Sequence, residues 1–185
     1  MDASGRTYLL VDGENIDATL GSSILGRRPQ PQERPRWDRV LSFVEQHWGQ
    51  PVTALFFLAV NGDLPMPFVQ ALTARGYRPV PLSGTPDQKV VDLGIQRTLE
   101  EIARRDGDVM LVSNDGDFIP QMTPLVGERR TSLLAFNEFR SSGYTELIAG
   151  GLEILDLEYD VAAFNEELPR LRVIPIDEFD PAAFL

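Results

Sequence analysis

The chain has 185 residues, 43% of them hydrophobic and 24% charged, with a net charge of −11. That is the size and balance of one globular unit with a real core. It contains no cysteine and one histidine, His47, which excludes disulfides, thiolate metal sites and a histidine-rich zinc site. The N-terminus lacks the pattern of a signal peptide and no run reaches the length of a membrane span, so a cytoplasmic protein is expected.

The charge is unevenly spread. Residues 151–185 hold 2 Arg and 9 Asp or Glu, a net of −7, and residues 1–150 carry a net of −4. An acidic surface argues against a nucleic-acid partner at first sight, but several of the acids before residue 151 fall in the motifs described below.

Strand and helix patterns alternate along the chain. Residues 7–11 form an apolar strand. Residues 21–36, rich in Gly, Pro and Arg, read as a loop. Residues 37–48 form an amphipathic helix with Trp37, Val40, Leu41, Val44 and Trp48 on one face, stopped by Gly49-Gln50-Pro51. Residues 52–60 are almost continuously apolar, as a strand covered on both faces should be. After a turn at Asn61-Gly62-Asp63, a short helix opens at Pro65 or Pro67 and closes at Gly76. Residues 77–82 form a weaker strand whose two prolines place it near an edge.

A polar loop at 83–88 precedes a long helix at 89–105, with Val91, Ile95, Leu99 and Ile102 on its buried face. Residues 109–113 form a fourth strand, and 117–126 an irregular helical region containing Pro120 and Pro124. Then come a strand at 131–136, a helix at 141–149 ended by Gly150-Gly151, and a sixth strand at 153–157. The expected fold is a three-layer α/β/α sandwich with a mostly parallel sheet of five to six strands. The domain is expected to span residues 1–157, with 158–185 as an acidic extension.

Two of these strands end in acidic motifs, Val11-Asp12-Gly13-Glu14-Asn15 and Ser113-Asn114-Asp115-Gly116-Asp117-Phe118. In open α/β sheets ligands bind beyond the carboxyl ends of the strands. If the first and fourth strands are neighbours, Asp12, Asp115 and Asp117 share one rim. Asp92 joins them if the long helix aims its N-terminus there. Two like charges 4 Å apart repel by about 4 kcal/mol at an effective dielectric of 20. Four carboxylates therefore need a cation or raised pKa values. Mg²⁺ or Mn²⁺ takes such oxygens and can activate water against a phosphodiester. Each acid also has a plainer role open to it, as a helix cap, a turn residue or a solvated helix acid. Neither a dinucleotide fingerprint nor a P-loop is present.

The stretches Val-Asp-Gly-Glu-Asn-Ile at 11–16, Lys89-Val-Val-Asp92 and Ser-Asn-Asp-Gly-Asp-Phe at 113–118 resemble the three motifs of NYN domains. These belong to the PIN-like nuclease superfamily, and the bacterial LabA-like branch is the nearest in pattern. The resemblance covers roughly residues 7–157. It implies a metal-dependent ribonuclease in which Asp12, Asp92, Asp115 and Asp117 are the catalytic metal carboxylates and Asn15, Ser113 and Lys89 are polar residues of the pocket. Three positions depart from the family pattern: Asn114 and Val90 stand where Gly is usual, and Thr98 where a further Asp is common. The missing acid leaves a second reading open, a non-catalytic RNA-binding or regulatory module.

RNA, single-stranded or structured, is the expected partner. An acidic pocket needs a basic rim to draw it in, and Arg27, Arg28, Arg34 and Arg36 after the first strand are the candidates, with Arg75, Arg78, Arg129 and Arg130 in reserve. The sequence also leaves room for a homo-oligomer and for a protein partner of the acidic tail.

Overall fold

The computed structural model describes residues 5–169 and 174–185. Residues 1–4, and residues 170–173 inside the acidic extension, lie outside the described residues. Six strands, β1 (Thr7–Val11), β2 (Val52–Ala59), β3 (Arg78–Leu82), β4 (Asp108–Val112), β5 (Thr131–Ala135) and β6 (Leu152–Asp156), form one sheet in the order β3-β2-β1-β4-β5-β6. Every pairing is parallel. The helices are α1 (Gly13–Thr19), α2 (Trp37–Trp48), α3 (Met66–Ala74), α4 (Val90–Ile102), α5 (Ile119–Met122) and α6 (Thr145–Ile148).

Alternation along β1 builds two cores. Leu9 and Val11 join α2 and β2 side chains such as Val40, Val44 and Phe56 on one face. Leu10 joins Phe57, Ile95, Leu99 and Leu111 on the other, under α4. All five residues of β5 are buried, as a strand with helices on both faces requires. Helix α4 lies close to the sheet at Gly94, where a Cβ would sit 2.4 Å from Leu82 Cδ1 and 3.3 Å from Phe57 Cδ1.

Strand β3 lies at the edge, as its prolines imply. Pro79 and Pro81 are alternate residues, so their missing N–H groups fall on the side that has no neighbour. The expected loop at 21–36 contains a π-helical turn, Leu20–Leu25, and a 3₁₀ turn, Pro31–Glu33. The expected helix at 141–149 is a 3₁₀ turn, Ser142–Tyr144, followed by the single turn of α6. The Ser141 hydroxyl accepts from Gly143 N and sets the tight start.

The chain after β6 folds back on the domain. Val161, Ala163 and Leu168 are buried in the core on the α2 side, and Phe164 stacks on Phe136. Ala163 O accepts from Arg36 N, and Phe164 O from Arg39 Nη1. Residues 174–185 carry two 3₁₀ turns and several exposed apolar side chains, among them Ile176 and Phe184.

The two ends of the sheet differ. At the N-terminal end of β1 and β4, the Gln50 amide donates to Thr7 Oγ1 and Asp108 Oδ2, both at 2.8 Å. Arg130 donates to Asp108 and to Gln50 Oε1, with its guanidinium 5.1 Å from the centre of the Trp48 ring. This web ties that rim shut. The opposite rim is open, and the acidic motifs lie there.

Candidate metal centre

Strands β1 and β4 are neighbours in level register, Val11 opposite Val112. The chain runs outward on one side through β2 and β3 and on the other through β5 and β6, so the seam between β1 and β4 is the switch point of the sheet. Asp12 follows β1 and donates its N–H to Val112 O at 2.9 Å. Three residues beyond Val112, Asp115 begins the 3₁₀ turn Gly116–Phe118 and accepts from Asp117 N at 2.9 Å.

Helix α4 brings the fourth carboxylate. Its N-terminus points to the same rim, and oxygen atoms of Asp92, Asp115 and Asp117 lie within 4.8 Å of one another. Asp12 is 2% exposed. Burial pushes its carboxyl up to about 7, and the charges of Asp92 and Asp115 add to the push, against the Ser113 hydroxyl bond. Burial, then the charges of Asp115 and Asp117, raise Asp92 as well, with Lys89 opposing. Asp12, Asn15, Lys89 and Asp92 share a cleft of about 310 Å³.

A family comparison decides the class: the NYN domain profile matches residues 6–149. The chain belongs to the NYN domain family. No curated protein matches it. Among solved structures, a protein of unknown function from Vibrio parahaemolyticus is similar in fold. Its TM-score is 0.67 and its identity 19%, with 86% of this chain and 98% of that chain covered.

The polar residues of this NYN site form a scaffold. Ser113 Oγ donates to Asp12 Oδ2 at 2.8 Å and accepts from Asp115 N at 3.1 Å, so one hydroxyl links the two acidic strand ends. Asn15 Oδ1 accepts from Asn114 N at 2.8 Å. Asn114 is 5% exposed. Its amide donates to Thr19 Oγ1 at 3.2 Å and its carbonyl accepts from Phe136 N at 2.8 Å, which fastens α1 and the end of β5 to the site. Lys89 is exposed, with its ammonium 3.7 Å from Asp117 Oδ2. Thr98 bonds back to Gly94 O at 2.7 Å within its own helix.

Three other contributors were not among the expected site residues. Glu14 accepts from Ala59 N at 3.2 Å and closes the cleft on the β2 side. Gln96 donates to Asp117 O at 3.0 Å. The Tyr144 hydroxyl donates to Asp115 O. Only Glu14 had a sequence signal, its place in the first motif.

The arginine loop is engaged locally. Arg27 pairs with Glu33 at 2.9 Å, Arg34 with Asp17 at 3.0 Å and Arg36 with Asp38 at 3.4 Å. Among the described residues Arg28 has no carboxylate partner. Of the reserve arginines, Arg129 gives Nη1 to the carbonyls of Ile102, Arg105 and Gly107, and Arg130 belongs to the closed rim.

The donor set suits a hard divalent cation. It offers carboxylate oxygens from several elements, and two of the acids, Asp12 and Asp92, are held less acidic than usual by burial first and then by the neighbouring carboxylates.

Proposed function

We propose that this NYN domain is a metal-dependent ribonuclease, with Asp12, Asp92, Asp115 and Asp117 holding Mg²⁺ or Mn²⁺ and RNA as substrate. The observation that carries the reading is the gathering of Asp92, Asp115 and Asp117 beside buried Asp12 at the switch point of a parallel sheet. When bound there, the ion supplies an activated water and a counter-charge for the phosphodiester. The chain's own residues prepare the place. Ser113 fixes the Asp12 carboxylate, the Asp115 carboxylate holds the turn that carries Asp117, and Lys89 sets a cation at the mouth for phosphate. Arg27, Arg28, Arg34 and Arg36 would draw in the RNA backbone, exchanging exposed carboxylate partners for phosphate.

Labelled single-stranded and hairpin RNA, incubated with Mn²⁺ or with EDTA, tests this. Cleavage is expected with Mn²⁺ alone, and Asp115→Asn should lower its rate by at least a hundredfold. Wild-type rates in that variant would reduce Asp115 to a turn residue. Thr98 favours one alternative, because its hydroxyl is spent inside α4 where a further acid is common. RNA bound and never cut would point to that binding or regulatory module.

A further inference from the structure

A second hollow lies beside the acidic cleft, on the other side of Glu14, which lines both. Its walls are Trp37, Phe56, Leu58 and Phe68, with Asp17 and Arg34 at the rim. Its volume is about 180 Å³, below the roughly 300–1,000 Å³ that drug-sized ligands fill. It suits one planar ring system.

The aromatic walls form a connected set. The Trp37 and Phe56 rings meet edge-on at 5.1 Å and 85°, and Phe56 and Phe68 at 5.5 Å and 84°. Trp37 and Phe56 are buried; Phe68 is 37% exposed and forms the free wall. Phe56 also lies directly under the metal-site turn. A Cβ on Gly13 would stand 2.5 Å from its Cζ, so this residue after Asp12 leaves room for the ring.

Resting on the ribonuclease reading, we infer that this hollow takes one nucleobase of the RNA, next to the phosphate held at the acidic cleft. The occupant follows from what adjoins the hollow. An apolar slot with an exposed aromatic wall suits the π-face of a base, and stacking of this kind tolerates any of the four. The shared Glu14 wall makes slot and cleft neighbours along one strand path. Half-exposed Arg34, paired with Asp17 at 3.0 Å on the slot's rim, can exchange that carboxylate for a backbone phosphate. The slot thus sets how the strand lies across the metal centre without reading its sequence.

The test uses the full chain carrying Trp48→Phe, so that Trp37 is the sole tryptophan reporter. Adenosine 5′-monophosphate and ribose 5-phosphate are titrated in Mn²⁺ while Trp37 emission is followed. The nucleotide is expected to bind about tenfold more tightly, the scale of one base–aromatic stack. Adding Phe68→Ala should erase that preference and raise the KM for RNA at unchanged melting temperature, and Phe68→Tyr should restore both. Equal binding of the two probes, or a preference that survives Phe68→Ala while RNA is still cleaved, overturns the slot and leaves the ribonuclease reading intact. Phe68-dependent nucleotide preference in a protein that neither binds nor cuts RNA would support the slot and sink the ribonuclease. A Trp37 response to a peptide of residues 174–185, and none to nucleotide, would give the slot to the chain's own tail and overturn the inference.

Discussion

At the scale of single residues, Asp12 carries the largest electrostatic cost in the site. Its carboxyl is raised from 3.8 to about 7, so the folded chain holds a proton there that the unfolded chain has lost. Stability from this group is therefore full below pH 4 and declines as pH rises towards 7. At neutral pH the cost is about 4 kcal/mol. Urea unfolding of the metal-free protein should show stability falling by a few kcal/mol between pH 5 and 8. Asp12→Asn should flatten that profile and raise stability at pH 8, while removing cleavage. Mn²⁺ should restore stability to the wild type, because it binds the folded state alone. A flat wild-type profile would mean that Asp12 is solvated. The four acids were legible in the sequence because each stands at the end of a strand or the start of a helix. Asn114 was not: it stands out only as a family departure, and its bonds to Thr19 and Phe136 exist only once β4 and β5 are paired.

At the scale of elements, order and type of strand and helix followed from periodicity, and the edge position of β3 from Pro79 and Pro81. The segment at 21–36 was less transparent, because its turns are set by local ion pairs as much as by Gly and Pro. Those pairs bear on the proposed RNA binding. Half-exposed pairs contribute about 0.2–1 kcal/mol each, so Arg27, Arg34 and Arg36 can leave their carboxylates for phosphate at small cost, and Arg28 has none to leave among the described residues. Replacing all four with alanine should weaken RNA binding and make the salt dependence shallower by roughly 0.7 for each phosphate that is no longer neutralised. The melting temperature should change by a few degrees at most. Filter binding across a salt series reads the slope. An unchanged slope would shift the RNA-binding surface to Arg75 and Arg78, since Arg129 and Arg130 serve the closed end of the sheet.

At the scale of the whole molecule, the chain beyond β6 divides in two. Residues 161–168 fill the core beside α2, although their apolar side chains follow no helical or strand period and so read as an appendage. Residues 174–185 leave Ile176, Phe179 and Phe184 exposed. Deleting 174–185 should leave the melting temperature unchanged. Deleting 158–185 strips Val161, Ala163, Phe164 and Leu168, and each large apolar group removed from a core costs about 2–5 kcal/mol. That variant should unfold cooperatively at a far lower temperature or not fold at all. Equal melting of the two truncations would show that the 161–168 packing contributes little.

The seam between β1 and β4 also has a consequence in time. Asp12 leaves the ribosome about a hundred residues before Asp115 and Asp117, and only the pairing of β1 with β4 brings them together. Contacts so distant along the chain form late in folding. A half-made chain therefore holds its acids apart in water and has no assembled acidic centre. The site arises only after β4 and the turn behind it have emerged, so synthesis itself delays its onset.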